Sequence, residues 1–484
     1  MFSLRLQRSL INFLGFSLLF LLAACGTGPT TTLTPTPTST AIPGATSVST
    51  HVPSITATPS GKPVVPASNG GNTTIPMPQT QTSCPLPAAE AGRAAVIRPL
   101  VLGNHASIAY IFNEGTPGSP TFGELKVYDV ISGNKTVIVH QANTNIAEAQ
   151  VSGDGQWLLF VSNMPQAAPT AGNSALQLIR LDGQGLQTLF CAPLFSLRGV
   201  QWSPDQKFVV FSIRTISGTL EVFMLNLATG VAQPELMYTD RNLGFEDRTW
   251  LDKTRVYVVG VPNNTPVPLE SLYILDTKKG ANQHPNNLLQ VIQPRQSQYC
   301  WDFDSDYNTT KLVTSSCTVS FPVGSTDRGV QQGPGNISVQ PISGGQGNTI
   351  YASAQLAVAQ VRLLGYSSNR LLLTIENQNF GANVPIDTSQ NGLWKMNTDG
   401  SGLTRLTAED TGNESNLNLF TQYPWSNVSF DGSMYALQVT NIQSKDPITT
   451  LVFGELSGGK TMSFAFAHAN TGTVEVAGWT LIPG

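Results

Sequence analysis

Apolar residues along this chain come in runs of five to eight bounded by turn-forming residues, and no long stretch repeats them with a helical period. The runs include "SIAYIF" (107–112), "WLLFV" (157–161), "FVVFSI" (208–213), "RVYVVGV" (255–261), "KLVTSS" (311–316), "RLLLTI" (370–375) and "MYALQV" (434–439). They read as β-strands. A turn precedes each run, and a second strand leading into a Gly-bearing hairpin follows it. This arrangement recurs over 102–139, 152–190, 203–236, 251–280, 304–351, 366–407 and 429–467, which makes seven units of about four strands.

One four-stranded antiparallel sheet buries too little surface to be stable. Units stacked radially cover one another's faces and protect their edges. The expected fold is therefore all-β: a β-propeller over residues 93–484, with seven blades of four antiparallel strands, six or eight being the alternatives. The tail "VEVAGWTLIPG" (474–484) follows the hairpin of the last unit. It is expected to return to the first blade and close the ring; an extra strand on the last blade is the other possibility.

Two stretches make the repeat specific. "WSPDQKFVVFS" (202–212) and "GLWKMNTDGSGLTRLT" (392–407) resemble the two halves of the repeat in TolB-like propellers. That resemblance implies a role in protein–protein assemblies at the cell envelope. Asp205 in the first stretch has counterparts in Asp154, Asp431 and, more loosely, Asp252, each just ahead of an apolar strand. A residue repeated once per unit fits a turn that hydrogen-bonds its own backbone better than it fits catalysis. Trp202 is expected to pack between blades, with Trp250 and Trp301 near the same register.

The first 92 residues follow another pattern. Arg5 and Arg8 precede an apolar stretch from Leu10 to Leu22, and "LAAC" (22–25) follows at once. A charged start, a short apolar run and small residues are the marks of an export signal. The cysteine makes it resemble the lipobox of bacterial lipoproteins. That resemblance implies a signal peptide over 1–24, a lipid on Cys25 that joins the chain to a membrane, and a location outside the cytoplasm; an uncleaved anchor helix is the alternative. Residues 25–92 are rich in Thr, Ser and Pro, and Lys62 is their only charged residue before Glu90. Such a segment reads as a disordered tether reaching ~45 Å as a coil.

Net charge is −4 and no basic stripe exists, so nucleic acid is not an expected partner. Beyond Cys25 the cysteines number four, an even count that favours disulfides in an exported protein. A hairpin centred on Asn308 and Thr309 would set Cys300 opposite Cys317. Elimination then pairs Cys84 with Cys191 and fastens the tether to the second blade.

No catalytic constellation emerges. "GYSSN" (365–369) lacks the second glycine of a nucleophile elbow, and neither a metalloprotease helix nor a phosphate loop is present. His105, His140, His284 and His468 read as isolated residues in different units. Asp302, Asp304 and Asp306 are a candidate Ca²⁺ site, set against the reading that they cap turn amides. No other metal and no cofactor is expected. Binding is assigned instead to two insertions between the second and third strands of consecutive units, 320–336 and 376–392. They are expected to project side by side from one face, with Phe321, Arg328, Phe380 and Asp387 as contact residues.

The functional expectation is a non-catalytic module that binds an envelope protein or extracellular ligand. The alternative is a propeller hydrolase or lyase acting on glycan or peptide through two channel carboxylates about 5–10 Å apart.

Overall fold

Short strands broken by turns, the middle ones buried on both faces, build seven antiparallel sheets in the computed structural model. Residues 92–483 are described except 117, 165–173, 193–196, 215–219, 237–242, 263–270, 281–285, 293–299, 306–310, 321–328, 343–344, 365–368, 380–383, 408–414, 419–426 and 442–445. Cys25, Cys84, Asp306 and the tether lie outside the described residues.

The chain is a seven-bladed β-propeller. Blade 1 holds β1 (Leu102–Thr116), β2 (Ser119–Asp129) and β3 (Lys135–Ala142). Blade 2 holds β4 (Asn145–Val151), β5 (Trp157–Asn163), β6 (Ser174–Arg180) and β7 (Gln187–Ala192). Blade 3 has β8 (Leu197–Trp202), β9 (Phe208–Arg214), β10 (Leu220–Asn226) and β11 (Ala232–Leu236). Blade 4 has β12 (Leu243–Trp250), β13 (Arg255–Pro262), β14 (Ser271–Asp276) and β15 (Leu288–Ile292). Blade 5 comprises β16 (Cys300–Ser305), β17 (Lys311–Ser320), β18 (Val330–Pro341) and β19 (Asn348–Ser353). Blade 6 comprises β20 (Val358–Leu363), β21 (Arg370–Ile375), β23 (Gly392–Asn397) and β24 (Thr404–Arg405); the segment linking β21 to β23 carries β22 (Gln378–Asn379), which pairs outside this blade. Blade 7 is β25 (Ser415–Asn418), β26 (Met434–Asn441), β27 (Ile448–Glu455) and β28 (Met462–His468).

The tail closes the ring as expected. β29 (Gly472–Pro483) pairs antiparallel with β1 and takes the innermost place of blade 1, next to β4. The apolar core lies in the seams between blades. Trp157, Leu159 and Phe190 of blade 2 meet Trp202, Val209 and Phe211 of blade 3, while Phe453 and Phe464 of blade 7 meet Tyr110 and Trp479 of blade 1.

The repeated aspartate turns a chain. Ser152, Ser203 and Ser429 donate their hydroxyls to Asp154, Asp205 and Asp431 at 2.6, 2.8 and 2.6 Å. The same carboxylates accept the N–H of Gln156, Lys207 and Ser433, and the serine oxygens accept the first amide of the apolar strand. Gly155, Gln206 and Gly432 hold the left-handed position of this turn, with φ of 72°, 57° and 68°. Asp252 takes the N–H of Thr254 and Arg255 in a looser version. Trp202 and Trp250 share the buried last position of their inner strands. Trp301 departs from that expectation, standing partly buried near the start of β16.

Residues 92–100 strap blades 2 and 3 together. Arg93 and Ala95 donate their N–H to Leu189 O and Leu227 O, both at 2.7 Å, and Gln187 Oε1 accepts the N–H of Val96 at 2.6 Å. A Cβ on Gly92 would stand 2.3 Å from Gly230 O, so this contact requires glycine.

Candidate functional site

The insertions of blades 5 and 6 meet on one face. Val330 and Gln331 at the start of β18 pair with Asn379 and Gln378 of β22, which gives blade 5 a fifth strand. Gln331 Nε2 donates to Glu376 O at 2.7 Å. Asn377, almost fully buried, ties the blade 6 insertion down: its Oδ1 accepts the N–H of Ala357, and its Nδ2 donates to Gln355 O and Asp387 O. Asn391 Oδ1 accepts the Asn377 N–H at 2.8 Å, and Asn391 Nδ2 returns to Asn377 O at 2.8 Å. Arg405 donates to Ser389 O and Asn391 O from below. The described part of the insertion is thus a fixed ledge.

Asp387 stands exposed on that ledge. The Ser389 side chain and N–H hold its carboxyl below the usual range. Val384 is 44% exposed beside it. Phe321, Arg328 and Phe380 lie outside the described residues. β18 approaches blade 6 closely, and a Cβ on Gly335 would stand 2.3 Å from Leu356 O.

Around the channel the inner strands carry a feature absent from the sequence reading. An inner edge strand has amides with no strand to bond, and the preceding blade supplies side-chain acceptors. Glu148 Oε2 and Gln150 Oε1 accept the N–H of Val200 and Trp202 at 3.1 and 3.0 Å. In blade 5, Asp302 Oδ2 and Asp304 Oδ2 do the same for Val361 and Leu363, at 3.1 and 2.7 Å. Asp302 also forms an ion pair with Arg362. Burial pushes the Asp304 carboxyl up to about 6, against the opposing charge of Arg362. Two of the three Ca²⁺ candidates therefore hold blades together, and the third, Asp306, lies outside the described residues. Among the described residues no three His, Cys, Asp or Glu side chains are grouped to hold a metal ion. The signal was present in "EAQ" (148–150) and "DFD" (302–304), polar residues alternating in a short strand before the turn.

Glu475 on β29 lies across the seam between blades 1 and 2 from the strand that carries Glu148. Burial, with Glu148 adding to it, raises the Glu475 carboxyl well above the ordinary range. The three described histidines each face a carboxylate: His105 with Asp129 at 3.4 Å, His140 with Glu124 at 2.8 Å and His468 with Asp446 at 2.8 Å. His105 and His140 share blade 1, a correction to their reading as residues of different units.

Cys191 and Cys317 each take part in a disulfide bond. Cys317 sits directly opposite Cys300 in the β16–β17 register. Cys191 lies at the end of β7, two residues beyond the Leu189 carbonyl that receives the strap.

Fold and site together define the class: a seven-bladed β-propeller with a ledge on one face and acidic clamps about its channel. No protein-family model and no curated protein matches the chain. Among solved structures it is distantly similar to TolB from Acinetobacter baumannii, at 14% identity and TM-score 0.36 over 60% of this chain and 62% of that one. Putative TolB from Agrobacterium tumefaciens matches at 11% identity and TM-score 0.35, over 79% of this chain and 100% of that one. Acylaminoacyl peptidase from Pyrococcus horikoshii matches at 10% identity and TM-score 0.42, over 66% of this chain and 45% of that one. The chain spans about three-fifths of the length of the Acinetobacter protein.

Proposed function

We propose that this chain is an exported lipoprotein, held to a membrane through Cys25, whose propeller binds an envelope protein or an extracellular ligand without altering it. The observation that carries the reading is the ledge of blades 5 and 6. Backbone pairing and the Asn377–Asn391 exchange hold a polar insertion in one shape, and a surface fixed before encounter binds with less ordering cost. Export is supported by the disulfide-bonded cysteines, which persist in oxidising compartments. Cys300–Cys317 and Cys84–Cys191 are the pairings we assign.

The test is capture from native envelopes with the full chain in detergent. Asp387→Lys together with deletion of 380–383 is expected to abolish capture while the fold stays intact by circular dichroism. Undiminished capture by that variant rejects the ledge. Separately, Cys25→Ser is expected to release the chain from membranes.

A second reading rests on Glu475 and Glu148. A carboxyl that keeps its proton, with a second carboxyl on the neighbouring inner strand, is the pairing that acid–base cleavage of glycan or peptide requires. Turnover of a polysaccharide or peptide that Glu475→Gln removes would favour this reading over binding.

A further inference from the structure

The outer strands of six blades share one irregularity. Each skips a residue in its pairing with the strand inside it, and the skipped residue is Ile138, Leu189, Glu235, Val291, Ile350 or Phe464 in blades 1, 2, 3, 4, 5 and 7. A bulge re-aims the side chain it carries. Here it turns that side chain into the seam, and the five apolar members pack there. Blade 3 alone places a carboxylic acid at this position.

Glu235 is 1% exposed. Its Oε2 is buried and accepts no hydrogen bond, and it forms no ion pair among the described residues. Asn287, also 1% exposed, donates Nδ2 to Glu235 O and to Gly280 O, both at 3.2 Å, while its own Oδ1 is buried without a donor. The described group whose charge acts on it is Asp276 at the end of β14, itself 3.9 Å from Lys279 Nζ. A second carboxylate does not neutralise an ionised Glu235. Two orphaned acceptors, on residues joined by the bond from Asn287 Nδ2 to Glu235 O, lack one thing, a proton.

We propose that Glu235 is a proton-operated latch between blades 3 and 4. Protonated, it fills the seam as its apolar counterparts do and has a hydrogen to offer the Asn287 carbonyl. Ionised, it draws water into the seam and loosens β11 and β15. Burial, with Asp276 adding to it, raises the carboxyl from 4.5 to about 7. The folded chain thus keeps this proton to near neutrality, whereas the unfolded chain loses it near 4.5. Stability owed to this group is full below pH 4.5, falls as pH rises from 4.5 to about 7, and stays low above that. The folding equilibrium shifts by at most about tenfold per pH unit, or on the order of a few hundredfold across that window.

The experiment is amide hydrogen exchange on the full chain at pH 5 and pH 8, corrected for intrinsic rates, for the wild type, Glu235→Gln and Glu235→Leu. The wild type is expected to lose at least tenfold protection in β11 and β15 on going to pH 8, with blades 6 and 7 unchanged, while both variants keep theirs. Equal pH dependence in wild type and variants overturns the latch, as does loss spread evenly over all blades. Should a variant fail to fold, carbon-13 titration of the Glu235 carboxyl in the wild type decides: a midpoint near 4.5 overturns the proposal.

Discussion

Replacing Trp479 by alanine tests whether the last strand holds the ring shut. Trp479 is fully buried on β29, opposite Ile108, in the seam that also contains Tyr110, Phe453 and Phe464. Truncating a buried tryptophan to alanine costs about 3–5 kcal/mol through lost contacts and the cavity left behind. The indole Nε1 is itself buried without a partner, and removing it returns about 1 kcal/mol or more of desolvation penalty. A net loss of about 2–4 kcal/mol is therefore expected, equivalent to about 30- to 700-fold in the opening equilibrium at 1.4 kcal/mol per decade. Trp250→Ala is the control, because Trp250 is equally buried but sits in a blade made of consecutive strands, and its indole donates to Gln201 O at 3.4 Å. Hydrogen exchange is the assay. In Trp479→Ala the protection lost should concentrate in β29 and in β1, whose edge it covers, while Trp250→Ala should spare both. Protection in β1 and β29 within threefold of the wild type, or a loss equal to that in blade 3, would refute the closure argument.

The inner-strand clamps predict that Asp304→Ala, which leaves the Leu363 N–H without its acceptor, lowers stability by about 1–3 kcal/mol in thermal or urea unfolding, while Asp304→Asn, which keeps an oxygen, stays within about 1 kcal/mol of the wild type. Equal loss in both would deny the hydrogen bond its role. Asp205→Ala and Asp154→Ala should each cost about 0.5–1.5 kcal/mol and leave capture of any partner unchanged. A loss of capture confined to Asp205→Ala would restore the functional reading of that residue.

The strands and the repeat were legible because they depend on local rules, and the returning tail because one strand was left over after the last hairpin. Each blade but the first pairs strands consecutive in the chain, so apolar runs and turn chemistry specify it without distant contacts. The ledge was legible in outline, since two long insertions in consecutive units must leave from the same face. Its rigidity was not, because Asn377 and Asn391 carry no signal in their identity, only in the backbone groups that folding brings to them.

The sequence by itself determined the all-β class, the seven units, the aspartate turn and the strand that closes the ring, all products of patterns within a few tens of residues or of the count of strands. Only the tertiary structure decided what meets across the seams. It set Glu148 against Glu475 from opposite ends of the chain, assigned Asp302 and Asp304 to amides of the next blade, and dropped Glu235 into an apolar position. A bulge of one residue inverts the facing that a period of two assigns, and a neighbour in the ring is not a neighbour in the chain.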